Sequence, residues 1–149
     1  GKGIATYYPS NFELQLNISK KFYQLTTITS TDLIIINMYR SLNCDDDCLI
    51  ESLRDLFSSD KSIVLCGDFN LCQRDQNNHP VLVYLRKCNF LPGFDPPQPS
   101  HISGRCIDQI HTRLNKNIEV KNLLLEPCYF SDHDKVNLTL YHAGAFKSY

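Results

Sequence analysis

Runs of apolar residues in the first half of the chain predict neighbouring β-strands. Residues 22–28 and 33–39 are rich in β-branched and aromatic side chains, and the Ser-Thr-Asp segment at 30–32 predicts a hairpin turn between them. The second run is almost entirely apolar, which is typical of a strand near the centre of a sheet. Residues 63–66 form another short apolar run, as expected of a strand that is buried on both faces.

Two segments with apolar residues at helical spacing alternate with these strands. Asp45, Asp46 and Asp47 precede the first segment, and acidic residues suit the amino terminus of a helix; the alternative is a Ca²⁺ or Mg²⁺ site. The second helical segment covers residues 79–87. Further strands are predicted at residues 4–8, 106–110, 120–125 and 136–141, and a proline-rich loop at 92–99. This order favours one layered α/β domain.

Composition narrows the function classes. The 149 residues, 42% hydrophobic and 21% charged, fit a single globular domain. A net charge of -1 gives no global electrostatic argument for nucleic-acid binding, although a local basic face stays compatible with it. Because no apolar stretch approaches the roughly 18 residues of a membrane span, we expect no membrane partner. Seven cysteines without a Cys-x-x-Cys pair favour reduced, mostly buried thiols and an intracellular location, cytoplasmic or nuclear.

The end of the strand at 63–66 presents polar side chains in a position where α/β proteins often bind ligands. Gly67 permits a turn, and Asp68 and Asn70 follow it on either side of Phe69. A carboxylate can bind a hard cation or take a proton from water, and an amide can orient water or donate to a phosphoryl oxygen. The alternative is an Asx-turn with no chemical role.

Two further polar groups lie towards the carboxyl end of the chain. Asp132 and His133 precede an alternating strand, and the histidine could act as an acid or base near neutral pH; the alternative is a solvated turn. Asp108 interrupts an apolar run, so its carboxylate requires a partner, for which a histidine is the natural choice. Nearby, His101 and Arg105 are candidates for phosphate contact, with structural roles as the alternative.

The order of these groups resembles the endonuclease/exonuclease/phosphatase superfamily, in particular its retroelement or abasic-site-endonuclease branch. The resemblance covers almost the entire chain. The matching motifs are Gly67-Asp68-Phe69-Asn70, Ile107-Asp108-Gln109-Ile110, Ser131-Asp132-His133 and Asn37-Met38-Tyr39-Arg40-Ser41. The resemblance implies a layered β-sandwich of two mixed sheets flanked by helices, and Mg²⁺-dependent hydrolysis of phosphodiesters, with DNA as the expected substrate.

The resemblance also implies a role for each site residue. His133 would contact the scissile phosphate and pair with Asp108, while Asp68 would activate or orient the attacking water. Asn70 would hold the phosphoryl oxygens and Tyr39 would donate to the phosphate. Mg²⁺ would lie by Asp132 and Asp68. The expected substrate contacts are His101, Arg105 and Arg40.

One family element has no counterpart in this sequence. Residues 2–7 resemble a family strand, and the members of the family carry an Asn and a metal-binding Glu upstream of that strand. We therefore expect residues 1–149 to form the carboxyl-terminal two-thirds of a single domain. Loss of the Glu should weaken Mg²⁺ binding and could abolish activity. The alternatives are a catalytically incomplete remnant that binds nucleic acid or a protein, and a phosphatase or lipid phosphodiesterase of the same superfamily.

Overall fold

The computed structural model describes residues 6–142, which form eight strands and two helices. The strands are Glu13–Ser19 (β1), Tyr23–Thr29 (β2), Leu33–Arg40 (β3), Ser62–Asp68 (β4), Leu91–Pro92 (β5), Asp108–Arg113 (β6), Ile118–Glu126 (β7) and Lys135–His142 (β8). The helices are Asp46–Phe57 (α1) and Pro80–Lys87 (α2). The predicted mixed α/β class is therefore confirmed.

Six strands form a mixed sheet in the order β1-β2-β3-β4-β6-β5. Strands β3 and β4 are parallel because α1 crosses over between them, and the other pairings are antiparallel. The carboxyl ends of β3 and β4 consequently lie at the same edge of the sheet. Strands β7 and β8 form a separate sheet, which is purely antiparallel rather than mixed.

Both helices cover one face of the large sheet. The side chains of β3 that face them, Ile34, Ile36 and Met38, are fully buried in the core cluster together with apolar residues of α1 and α2. The carboxylate of Asp45 caps α1 by accepting from the backbone N–H groups of Asp47 and Cys48. The interpretation of the acidic run as a helix start is therefore confirmed.

The opposite face of the large sheet is turned towards β8 across a cavity of about 570 Å³. Apolar residues from both sheets line the cavity, among them Ile35 and Val64 of the large sheet and Leu138 of β8. Asp68 and Asp108 also line it. The polar side chains that end β4 and begin β6 therefore lie where the cleft between the two sheets meets the loops.

Several sequence expectations differ from the structure. Strand β1 was not predicted, and the strand predicted at residues 4–8 is not formed by residues 6–8; residues 1–5 lie outside the described residues. The strand predicted at 106–110 begins at Asp108, because the preceding residues belong to the loop that leads into β6. Strand β1 does alternate apolar and polar residues, and Leu16 and Ile18 are partly buried against the core, so its signal was present in the sequence and was overlooked.

All seven cysteines are free thiols, but they are less buried than predicted. Cys72 and Cys106 are buried, Cys48 is exposed, and the other four are partly exposed. Within residues 6–142, no helix is long and apolar enough to cross a membrane.

Replacing Gly67 by alanine should destabilise the protein strongly. Gly67 has φ +141°, and a Cβ built on it would lie 1.8 Å from the carbonyl oxygen of Met38 on β3. Because that oxygen belongs to a central strand, the two backbones would have to separate. We expect Gly67→Ala to lower the free energy of unfolding by roughly 3 kcal/mol or more, measured by urea denaturation.

Gly104 provides the matched control for this prediction. Its φ is also positive, at +83°, but nothing lies within 4 Å of a Cβ placed there. Gly104→Ala should therefore cost only the strain of the left-handed backbone, about 1–2 kcal/mol. Equal losses in the two variants would contradict a steric role of Gly67.

Candidate active site

Three neighbouring strands place polar side chains at one edge of the large sheet. Asp68 is the last residue of β4, and the parallel register sets it beside Tyr39 of β3. On its other side, the antiparallel register sets it beside Asp108, the first residue of β6. Sheet pairing alone therefore brings together three residues that are far apart in the sequence.

The turn after β4 fixes the orientation of Asp68. Asn70 adopts φ +48°, and its backbone N–H donates to Oδ1 of Asp68 at 2.9 Å, while Phe69 is fully buried. This is the Asx-turn that the sequence offered as an alternative. The side-chain amide of Asn70 donates to the carbonyl of Arg40 at 2.8 Å. The turn thus uses only one carboxylate oxygen of Asp68.

Arg40 lies beneath this turn, and its side chain makes internal contacts. It is 5% exposed, and its Nε donates to Asp46 of α1 at 2.8 Å. A terminal guanidinium nitrogen donates to the carbonyl of Phe69 at 3.1 Å. The guanidinium of Arg40 thus joins the turn to α1. Contact between Arg40 and a substrate stays a prediction.

His133 lies in the loop between β7 and β8, which pairs with the loop that precedes β6. The N–H of Ile102 donates to the carbonyl of Asp132 at 2.8 Å, and the N–H of Asp134 donates to the carbonyl of Ser100 at 2.7 Å. An isolated β-bridge joins His101 and His133 between these two bonds. The two loops therefore hold His133 over the end of the large sheet.

Ser100 is a positioning residue to which sequence reasoning assigned no role. Its side chain is fully buried, and its Oγ accepts from the backbone N–H of Asp108 at 2.9 Å. Its backbone carbonyl binds the loop of His133, as described above, so one residue fixes both partners of the site. A lone serine after prolines carries no sequence signal for such a role, because the partners are set by the tertiary structure.

Three carboxylates surround the imidazole of His133. Its Nδ1 lies 2.7 Å from Oδ2 of Asp108, a hydrogen-bonding distance, and its Nε2 lies 3.9 Å from Oδ2 of Asp68. Oδ1 of Asp132 lies 3.8 Å from the same Nε2. Because Nδ1 donates a hydrogen bond to Asp108, Nε2 is the nitrogen that is left to interact with a ligand.

The surrounding charges alter the acidity of both central groups. Burial opposes protonation of His133, but the hydrogen bond to Asp108 and the negative charges of Asp108, Asp68 and Asp132 outweigh it and raise the pKa of His133. Burial is also the largest influence on Asp68, whose pKa it raises; the bond from the N–H of Asn70 opposes the shift, and the charge of Asp108 adds to it. The surroundings of the site therefore shift both His133 and Asp68 towards their protonated forms.

Comparisons with known proteins identify this architecture through structure alone. No family model and no curated protein matches the sequence. The cytolethal distending toxin of Haemophilus ducreyi is similar in structure, with 18% identity, a TM-score of 0.60, and 89% of this chain and 58% of that chain covered.

Two further solved structures are similar as well. The endonuclease domain of TRAS1, a telomere-specific non-LTR retrotransposon, shows 11% identity and a TM-score of 0.56 over 77% of this chain and 59% of that chain. An endonuclease/exonuclease/phosphatase family protein from Leptotrichia buccalis shows 14% identity and a TM-score of 0.53 over 80% and 53%. This chain has the endonuclease/exonuclease/phosphatase fold.

The chain spans between 53% and 59% of the length of these three structures. Within the endonuclease/exonuclease/phosphatase fold of this chain, the motifs around Asp68, Asp108 and His133 converge at the edge of the large sheet. Tyr39 and Arg105, which the sequence also predicts in the site, make no hydrogen bond to Asp68, Asp108 or His133 among the described residues. Within residues 6–142, the hydroxyl of Tyr39 has no hydrogen-bond partner, and Arg105 donates to the side chain of Gln76 at 3.0 Å.

The site combines carboxylates and imidazoles that could hold a metal ion. In the part of the chain that the structure describes, none of the salt bridges brings a Lys or Arg to Asp68, Asp108 or Asp132. Two groups of possible ligands share His133, one with Asp68 and Asp108 and the other with His101 and Asp132. Asp68 and Asp132, expected to hold Mg²⁺ together, thus belong to different groups, with His133 between them.

Replacing Asp108 by asparagine should lower the pKa of His133. The change removes a negative charge and the carboxylate acceptor that together stabilise the imidazolium, whereas burial, which opposes the charge, remains. The fraction of protonated His133 at neutral pH should therefore fall. NMR titration of the histidine ring protons in the presence of a chelator measures this shift directly.

His79 is the internal control in the same spectra. Burial and the charge of Arg40 lower its pKa, with Asp46 opposing, and Asp108 is not among the causes. Its titration should be unchanged in Asp108→Asn. An unchanged titration of His133 would show that Asp108 does not stabilise its charged form.

Proposed function

We propose that this chain belongs to a Mg²⁺-dependent phosphodiesterase that hydrolyses DNA. The observation that carries the proposal is the imidazole of His133, whose Nδ1 is held by Asp108 at 2.7 Å while its Nε2 faces Asp68 at 3.9 Å. An oriented imidazole and a partly buried carboxylate that face each other form an acid–base arrangement suited to hydrolysis.

In this proposal His133 interacts with the scissile phosphate through Nε2. Asp108 accepts a hydrogen bond from the Nδ1–H group of His133, which fixes the orientation of the ring and stabilises its positive charge. The raised pKa of His133 favours the imidazolium, which donates to a phosphoryl oxygen and balances the negative charge that develops there. Asp108 therefore acts through His133 and does not itself touch the substrate.

Asp68 orients the attacking water and accepts its proton through Oδ2. Oδ1 is already occupied by the N–H of Asn70, so the turn directs the second oxygen towards His133. The 3.9 Å separation from Nε2 exceeds a hydrogen bond, so the two groups are not tied to each other directly. Asn70, in the turn after β4, and Tyr39, near the end of β3, are proposed to contact the phosphoryl oxygens.

The donor set is compatible with a hard divalent cation. Three carboxylates converge without a Lys or Arg salt bridge among residues 6–142, and Mg²⁺ is commonly held by one or two carboxylates together with substrate phosphate. Asp68 and Asp132 would hold it. When bound, Mg²⁺ supplies a Lewis acid that offsets the charge of the phosphoryl group.

DNA is the proposed substrate because two observations point the same way. The segment Pro99-Ser100-His101, followed by Gly104 and by Ile107-Asp108, resembles the retroelement branch of the family most, and one similar structure is the endonuclease domain of a retrotransposon. His101 and Arg105 lie on the loop beside His133, where we propose that they contact the DNA backbone. We further propose that residues 1–149 correspond to the carboxyl-terminal two-thirds of such a domain, as the order of the family motifs along the sequence implies.

Loss of Asp68 or His133 should abolish most DNA hydrolysis without unfolding the protein. Asp68→Ala removes the proposed base, and His133→Ala removes the proposed phosphate contact, so each should lower the rate of plasmid nicking at millimolar Mg²⁺ by roughly 100-fold or more. Asp55→Ala changes an exposed carboxylate on α1 and is the matched control, with an unchanged rate expected. Circular dichroism verifies folding.

The assay separates the proposal from its competitors. Nicking that persists in both site variants, or that is unaffected by a chelator, would refute the assigned roles. Hydrolysis of a phosphomonoester or a choline phospholipid, without any cleavage of DNA, would support the assigned site but show that DNA is not the substrate. A folded protein without activity on any of these substrates, both as residues 1–149 and in a longer form that carries the upstream Glu of the family, would overturn the proposed function.

A further inference from the structure

Two buried cysteines lie in the loops that flank the candidate active site. Cys72 follows Asp68 in the loop after β4, and Cys106 precedes Asp108 in the loop that leads into β6. Both cysteines are only 1% exposed. The chain segments that carry two carboxylates of the site therefore each contribute one buried thiol.

The two loops are in direct contact at these cysteines. The backbone N–H of Cys106 donates to Sγ of Cys72 at 3.3 Å. The backbone N–H of Gln73 donates to the carbonyl of Cys106 at 3.2 Å, so the loops are also joined through their backbones. The sulfur of Cys72 thus lies against the backbone from which the side chain of Cys106 branches.

The two thiols also interact with each other. Burial is the largest cause that raises the pKa of Cys106, and the neighbouring thiol of Cys72 raises it further through its charge and a hydrogen bond. The guanidinium of Arg74 opposes this shift. A disulfide requires its two sulfur atoms to approach to about 2.05 Å, with the Cα atoms roughly 4.4–6.8 Å apart. Because the side chains already touch, small movements of the two loops are sufficient to form the bond.

We propose that Cys72 and Cys106 form a reversible disulfide that links the two loops when the protein meets oxidised glutathione. The free thiols of the structure are the reduced form. The thiolate of Cys72, whose sulfur accepts the N–H of Cys106, attacks the S–S bond of oxidised glutathione, and one glutathione thiolate leaves and takes up a proton. The thiolate of Cys106 then attacks the sulfur of Cys72 in this mixed disulfide and releases the second glutathione. The two cysteines together lose two electrons and two protons, and oxidised glutathione becomes two reduced molecules.

The disulfide would close a loop that contains α2. Asp68 and Asp108 lie just outside the two ends of this loop, so the bond would fix the separation of the segments that carry them. It restricts the unfolded chain far more than the folded one, in which the two segments already touch. We therefore expect the folded state to favour the disulfide by roughly 100-fold or more over the unfolded state. The proposal does not depend on the proposed DNA hydrolysis.

Equilibration with glutathione measures this preference. The protein is held at a series of concentrations of reduced and oxidised glutathione, in buffer and in concentrated urea, until the linked fraction is constant, because buried thiols react slowly. It is then alkylated and digested with trypsin, which releases Cys72 in peptide 62–74 and Cys106 in peptide 106–113. Fragmentation in the mass spectrometer distinguishes Cys72 from Cys66 in the first peptide. At half linkage, the squared concentration of reduced glutathione divided by that of oxidised glutathione should be roughly 100-fold or more higher in buffer than in urea.

Serine variants identify the cysteines that respond. Oxidation should raise the Tm of the wild-type protein by roughly 5–10 °C, because the disulfide restricts the unfolded chain. Cys72→Ser and Cys106→Ser, which keep a small polar side chain, should each abolish this shift. Cys48→Ser changes an exposed cysteine of α1 and is the matched control, with the full shift expected. Circular dichroism verifies that the variants fold.

Two results with the wild-type protein would overturn the proposal, so it stays falsifiable even when a serine variant does not fold. The first is linkage of Cys72 to Cys106 at the same glutathione concentrations in buffer and in urea, which would show that the fold does not favour the bond. The second is oxidation in buffer that joins other cysteines or yields only glutathione adducts, while Cys72 and Cys106 are not linked.

Discussion

The hydrogen bond between His133 and Asp108 is the interaction on which the site depends, because it joins the two sheets. Asp108 begins β6 in the large sheet, whereas His133 lies in the loop that leads into β8 of the small sheet. A partly buried carboxylate without this partner would carry an uncompensated desolvation cost. The same bond therefore stabilises the junction of the sheets and sets the orientation of the imidazole.

The rest of the site is arranged around this bond by backbone contacts. Ser100 binds the N–H of Asp108 through its side chain and the His133 loop through its carbonyl, and the register of β4 with β6 adds Asp68 from the opposite side. A site built in this way keeps its geometry when exposed residues of the loops change.

The sequence predicted the elements whose signals are local. The apolar run of β4, the capped start of α1 and the polar motifs at Asp68, Asp108 and His133 follow from spacing and residue type. The apolar alternation of Leu14, Leu16 and Ile18 in β1 was a local signal that the prediction overlooked, whereas the role of Ser100 has no local signal because its partners are set by the tertiary structure. The internal position of Arg40 was equally hidden, since the charge that offsets it comes from the first turn of α1.

That buried guanidinium has a consequence for how the protein can vary. The side chain of Arg40 donates hydrogen bonds to Asp46 of α1 and to the carbonyl of Phe69, which is next to Asp68. The backbone carbonyl of Arg40 accepts a hydrogen bond from the side-chain amide of Asn70. Removing the carboxylate of Asp46 leaves the buried guanidinium of Arg40 without its charged partner, which is strongly destabilising. Helix α1 and the turn after β4 are thus joined through one buried guanidinium, so substitutions in the first turn of the helix act on a turn that lies outside it.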